Sequence, residues 1–411
     1  MTPQHLDWIR AQFPALHGPT VFLDNAGGSQ VLGRVADRVR DYLLTTSVQL
    51  GASYARSQVA SERVLAARRA MAEFINAPHD ESVVMGGSTT LLLFQLTNAL
   101  RSTFRPGDEI IVTDTDHESN IGNWKRLSEV GATIKVWRVN RDSLKLELDD
   151  LKALLTAHTR WVAMTAASNV LGTINPVAAV AELVHAAGAR LAIDTVAYAP
   201  HRLVDVRALG ADALVFSLYK VFGPHYAVLW LDRDLLRALP GLNHFFISPD
   251  DMPYKLQPGN VNFELAFGAV GIIDYVVQAG QRVSGRGQSD RRRDDMAAAF
   301  ESFADHEDAL STRLLEFLGG KRGVRVIGAT RVADRNRVPT ISFVKDGTPS
   351  ESVVRHTDRA DIGIRFGDFY AAHLIDALNL RAHGGVVRIS AVHYNSLEEI
   401  DRLIDCLDPI L

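Results

Sequence analysis

Two residues in this chain have both the chemistry and the setting to work as a pair. Lys220 stands in the run LVFSLYKVFGP and Asp194 in LAIDTVAYAP, each just past an apolar stretch that reads as a buried strand. An amine held there can condense with an aldehyde to form a Schiff base, and a carboxylate beyond a neighbouring strand can keep a pyridine nitrogen protonated. Those are the two electronic requirements of pyridoxal 5'-phosphate. Taken singly, each residue also reads as an ordinary surface lysine or strand-end aspartate, so the pairing needs support from the elements around it.

From about Val83 to Trp230, strand and helix signals alternate, which predicts an α/β fold with a mostly parallel sheet covered by helices on both faces. VVMGGSTT ends an apolar run and opens the helical TLLLFQLTNAL. Then come the strand DEIIVTD, the helix NWKRLSEVGA, the strand TIKVWRV, the helix LDDLKALLTA, the strand RWVAMTAAS, the helix VAAVAELVHAAG and the strand RLAIDT. ADALVFS and YAVLWLD follow, both apolar enough to be central strands, which makes seven. Ligands of such sheets collect at the carboxyl ends of the strands. His117, Asn169, Asp194, Ser217 and Lys220 all fall just after one. Beyond Asn262 the pattern changes to a long helix, FELAFGAVGIIDYVVQAG, then to the charged GRGQSDRRRDDM, expected to be a solvated loop rather than a basic binding patch. A helix from about Met296 to Gly319, short strands near VRVIG, PTISFV and VVRIS, and a closing helix after Asn395 predict a smaller α+β domain.

A chain of 411 residues with 47% hydrophobic content can bury a large core and divide it between two domains. With 44 basic and 48 acidic residues, the formal charge of -4 gives no electrostatic reason to expect nucleic acid or an anionic membrane as a partner. A small molecule is expected instead. No signal-peptide pattern opens MTPQHLDWIRAQFPAL, and no stretch reads as the roughly 20 apolar residues of a membrane span, so the expected location is cytoplasmic. The single cysteine, Cys406, excludes an intrachain disulfide, argues against a metal-thiolate site, and sits in a helical pattern as a packed thiol.

The residues that carry chemistry, from FLDNAGGSQ to YNSLEEIDRL, resemble the class V aminotransferase superfamily of fold-type I PLP enzymes, and within it the cysteine desulfurase-like branch. The resemblance implies a large cofactor-binding domain at 21–279, a small domain from 1–20 and 280–411, and a homodimer whose active sites are shared. It implies that Ser88 and Thr89 of MGGSTT hold the cofactor phosphate at a helix N-terminus, where a plain Ser/Thr cap is the alternative. Ser217 resembles a further phosphate ligand, and Tyr219 stands where the family often has histidine. His117 resembles the imidazole that lies over the pyridine ring and assists proton transfer, and Asn169 the amide on the phenolic oxygen, with Gly172 allowing a tight turn. Asp194 matches the pyridine partner and Lys220 the Schiff-base lysine. Arg388 matches the residue that grips the substrate carboxylate, with Arg365 a second candidate. Asn260, in PGNVNFE, stands for a threonine that reaches across the dimer to the partner's phosphate.

Departures from the family narrow the chemistry. Cysteine desulfurases carry a nucleophilic cysteine in the loop that here reads Arg365-Phe366-Gly367-Asp368-Phe369-Tyr370, and a phenol cannot carry a persulfide. Ala197 replaces the usual glutamine or histidine beside the cofactor's oxygen. The expected activity is therefore C-S or Cβ-heteroatom cleavage on an amino acid without a persulfide relay; transamination, epimerisation and a non-catalytic scaffold are the alternatives. Substrate selection is expected from His244 to Tyr254 and Phe366 to His373, with Phe245, Phe246, Phe369 and Tyr370 as candidate lining.

Overall fold

The structure, a computed structural model, describes residues 1–287 and 292–411. A short strand β1 (Val21–Phe22) precedes two helices, Gly33–Thr45 and Ala55–Phe74, which the sequence reading did not single out. The large sheet follows: β2 (Val83–Gly86), β3 (Glu109–Thr113), β4 (Thr133–Trp137), β5 (Thr159–Thr165), β6 (Arg190–Asp194), β7 (Ala213–Ser217) and β8 (Ala227–Leu231). Their order across the sheet is β2-β8-β7-β6-β5-β3-β4. All run parallel except β8, which is antiparallel to both of its neighbours. The expected α/β class and the seven strands are therefore observed, and the two strands read as central are interior.

Alternation explains why β8 is apolar throughout. Ala227, Leu229 and Leu231 join the cluster under the helix Thr89–Leu100, whereas Val228 and Trp230 face the layer that contains the helix Phe263–Ser284. A strand covered on both faces has no solvent side on which to place polar residues.

The second sheet contains β9 (Val324–Ile327) and β10 (Thr340–Lys345). After β11 (Ile362–Gly363), which pairs in parallel with β1, come β12 (Arg365–Gly367) and β13 (Val386–Ser390). Its order is β12-β13-β10-β9, all antiparallel, and its core joins Ile341, Phe343, Val387 and Ile389 to the helices Arg292–Gly319 and Leu397–Leu407. Ser396 and Glu399 form a capping box at the start of the last helix. Cys406 lies in that helix, where Leu403 and Leu407 are buried. The proposed division at 21–279 passes through shared packing, because Ile9 and Phe13 lie in the same cluster as Phe216 and Ile272.

Two expectations change. The helix Phe263–Ser284 has the length and apolar composition of a membrane span, although no such stretch was read from the sequence. It is a core helix in this fold, mostly buried against the helices that flank it. Within the charged stretch, 288–291 lie outside the described residues, 285–287 are exposed, and the following arginines, though part-exposed, are bonded. Arg292 bonds both oxygens of Glu73 at 3.0 Å, and Arg293 donates to the carbonyls of Glu73, Phe74 and Val204. They tie the start of the helix Arg292–Gly319 to the large sheet's helices.

Candidate active site

Eight of the candidates from the sequence line a single cavity of about 100 Å³ at the carboxyl ends of the strands: Ser88, Thr89, His117, Asn169, Asp194, Ser217, Tyr219 and Lys220. Parallel topology accounts for this, since β3, β5, β6 and β7 all end at the same edge of the sheet and each delivers its next residues there. An adjoining cavity of about 320 Å³ shares His117, Asn169, Tyr219 and Lys220 and adds Arg365, Phe369, Tyr370 and Arg388 from the small sheet and its loop. Asn260 lies elsewhere, with its amide on the Gln49 side chain at 3.3 Å. Phe245 and Phe246 are 99% and 69% exposed and line neither cavity, so the aromatic lining expected from them is not formed within the chain.

At one end of the inner cavity Ser88 caps the helix Thr89–Leu100, its hydroxyl accepting from the Leu91 N–H at 3.1 Å. The capping alternative for Ser88 is therefore realised. Thr89 and Ser217 differ: both are buried, and their hydroxyls meet only each other, at a long 3.4 Å. Two weakly paired hydroxyls at a helix N-terminus suit an anionic group such as a phosphate.

At the other end Asp194 is buried, with one oxygen accepting from the Val196 N–H at 2.8 Å. Burial pushes its carboxyl up to about 6. Lys220 is buried too, and burial, reinforced by the Arg388 charge, lowers its amine to about 8 while Asp194 opposes that shift. A carboxylate with a free oxygen and an amine brought towards neutrality suit a protonated pyridine nitrogen and a nucleophilic attachment to an aldehyde. The donor set thus fits pyridoxal phosphate.

His117 sits at the N-cap of the helix Glu118–Lys125, and its Nδ1 accepts from the Ser119 N–H at 3.0 Å. Nδ1 is therefore the unprotonated nitrogen and the proton resides on Nε2. Burial, with Lys220 and Arg388 nearby, lowers this imidazole to about 4, so it is neutral at physiological pH. Its ring lies 5.1 Å from that of Tyr370. Asn169 spends one amide hydrogen on the Phe369 carbonyl at 2.9 Å and retains the second for a ligand.

Arg388, 2% exposed, donates to Asp24 at 2.8 Å and to the Asn169 carbonyl at 3.3 Å, with the Phe369 ring 3.7 Å over its guanidinium. Its Nε is buried without a partner. Arg365 stands opposite it across the β12/β13 pair and approaches the same Asp24 at 3.8 Å. Asp24 was not singled out from the sequence; it lies in the quoted FLDNAGGSQ, far along the chain from its partners. Asp116, next to His117, was also passed over, although it is buried and its carboxyl is pushed up to about 7 by burial. Ala197 lines the inner cavity, as expected of a residue beside the cofactor.

Comparison with known proteins identifies the family. The profile of the aminotransferase class-V family matches residues 21–260 and 296–403. The aminotransferase-like protein FGM3 of Gibberella zeae is 41% identical over 98% of each chain, and the cysteine desulfurase-like protein ustD of Aspergillus flavus is 33% identical over 98% of this chain and 90% of that one. Among solved structures, the cysteine desulfurase CsdA of Escherichia coli superposes with a TM-score of 0.83 at 26% identity, covering 98% of both chains. The chain belongs to the class-V aminotransferase family and is a pyridoxal 5'-phosphate-dependent enzyme of the fold-type I group.

Proposed function

We propose that the protein cleaves a C-S or other Cβ-heteroatom bond of an amino acid, without passing sulfur through an enzyme-bound persulfide. One observation carries this reading: the loop facing the outer cavity presents Phe369 and Tyr370, while the chain's single cysteine, Cys406, lies on the small domain's last helix and lines neither cavity. Bound pyridoxal phosphate would supply an electron sink for the pair left when the Cα proton departs. The remaining tasks fall to the chain. Thr89 and Ser217, with the helix N-terminus that Ser88 caps, hold the phosphate; Asp194 keeps the ring nitrogen protonated; Asn169 gives its second amide hydrogen to the phenolic oxygen. Arg388 orients the substrate carboxylate, with Arg365 at the outer rim. Lys220 takes the Cα proton and passes it to the leaving group, to which neutral His117 donates a hydrogen bond from Nε2. The leaving atom departs with its bonding pair, and water then releases pyruvate and ammonia, so the reaction needs no external reductant. Exposed Leu44, Tyr54, Leu91, Phe94 and Phe245 support a homodimer in which Asn260 serves the partner's site.

Purified protein incubated with cysteine, cysteine sulfinate and S-substituted cysteines should release pyruvate. Accumulation of pyridoxamine phosphate with no cleavage product would replace the lyase by an aminotransferase. Exchange of the Cα hydrogen with solvent deuterium and no net product would replace it by an epimerase, and no reaction across a broad panel would leave the scaffold.

A further inference from the structure

Asp116, the neighbour of His117, bonds both the helix that His117 caps and the strand beside Asp194. It is 1% exposed, yet its carboxylate accepts from three sides. One oxygen takes the Thr113 hydroxyl at 2.5 Å and the Thr165 backbone N–H at 3.1 Å; the other takes the Asn120 amide at 2.7 Å. Each partner leads into the site. Thr165 ends β5 in register with Asp194, and its hydroxyl donates to the Asp194 carbonyl at 3.2 Å. Asn120 lies in the first turn of the helix Glu118–Lys125, where its N–H bonds the His117 carbonyl at 2.9 Å, and its side-chain oxygen accepts the Trp124 indole N–H at 3.0 Å.

We propose that Asp116 is a positioning residue, which fixes the spacing between the His117 ring and the Asp194 carboxylate by clamping a helix start to a strand end. The inference rests on the proposed placement of the cofactor between those two residues. A carboxylate is demanded by the donor arrangement rather than by packing. Asparagine at 116 would keep the acceptor for Thr113 and Thr165 but turn its NH₂ towards the Asn120 NH₂. Flipping Asn120 only moves the mismatch to the Trp124 N–H. The reciprocal change Asn120→Asp resolves it, because an aspartate at 120 accepts from both neighbours and the pair still holds one carboxyl and one amide.

The test compares wild type, Asp116→Asn and the double variant Asp116→Asn/Asn120→Asp. Three readouts are taken: visible circular dichroism of bound pyridoxal phosphate, melting of the cofactor-free protein, and turnover of whichever panel amino acid is cleaved. Asp116→Asn is expected to lose visible dichroism and about 100-fold in kcat, with KM within about threefold, as for a misplaced catalytic group. The double variant should recover the dichroism and kcat to within about fivefold. Asp116→Asn with wild-type dichroism and kcat but a lower melting temperature would overturn the inference, as would a double variant that regains stability without either signal. Should Asp116→Asn not fold, Asn120→Ala carries the same expectation at about tenfold. Wild type that binds no cofactor at Lys220 would instead sink the functional reading itself.

Discussion

At the residue scale the site is a set of groups whose protonation is set by burial, and this makes two predictions. Lys220, lowered to about 8, is mostly protonated at pH 7 and mostly neutral at pH 9. The rate at which cofactor-free protein captures pyridoxal phosphate should therefore rise about tenfold across that interval and then level off. A flat rate would mean that the amine is not brought down by its surroundings. Borohydride should fix the cofactor on the Lys220 peptide, and Lys220→Ala should leave none attached. His117, lowered to about 4, stays neutral throughout the working range. His117→Ala should cost about 100-fold in kcat as a hydrogen-bond donor to the leaving atom is lost, while the pH profile between 5 and 7 keeps its shape. A step in that interval which vanishes in the variant would contradict the neutral assignment. The sequence pointed to Lys220, Asp194 and His117 because each directly follows an apolar run. It did not point to Asp24 or Asp116, whose importance lies in partners distant along the chain or in burial.

At the element scale, the loop after β5 is what joins the two sheets at the site. Gly172 has φ +70, and a Cβ there would lie 2.2 Å from the Thr340 carbonyl oxygen of β10. Gly172→Ala is expected to lower stability by about 3 kcal/mol through strain and overpacking together. It should also weaken substrate binding, since Asn169 and Arg388 meet in that loop. Gly188→Ala is the control: it has φ +75 but nothing within 4 Å, so only a backbone cost of about 1 kcal/mol is expected. Equal melting temperatures for the two variants would show that the close approach to β10 does not matter. The tight turn at Gly172 was legible in the sequence; the carbonyl pressed against it was not, because that contact joins residues far apart in the chain.

At the scale of the whole molecule, the proposed homodimer would cover exposed apolar side chains on the helices Gly33–Thr45 and Thr89–Leu100 and at Phe245. Sedimentation should report two chains per particle, and Leu44→Asp with Phe245→Asp should shift the mass to one chain and weaken cofactor retention. A single-chain wild type that binds cofactor fully would overturn the shared-site proposal. The sequence by itself determined the α/β class, the seven strands of the large sheet and their order along the chain, and most of the residues gathered at the carboxyl edge, because apolar periodicity and strand-end position are local properties that parallel topology converts into proximity. Only the tertiary structure decided that β8 runs against its neighbours, that Phe263–Ser284 is a core helix, and that Arg292 and Arg293 bond the end of the helix Ala55–Phe74. It alone showed that Asp24 pairs with Arg388 and that Asp116 is buried between Asn120 and Thr165. Strand direction, burial and ion pairing depend on what a segment packs against, and that partner is chosen by the fold as a whole.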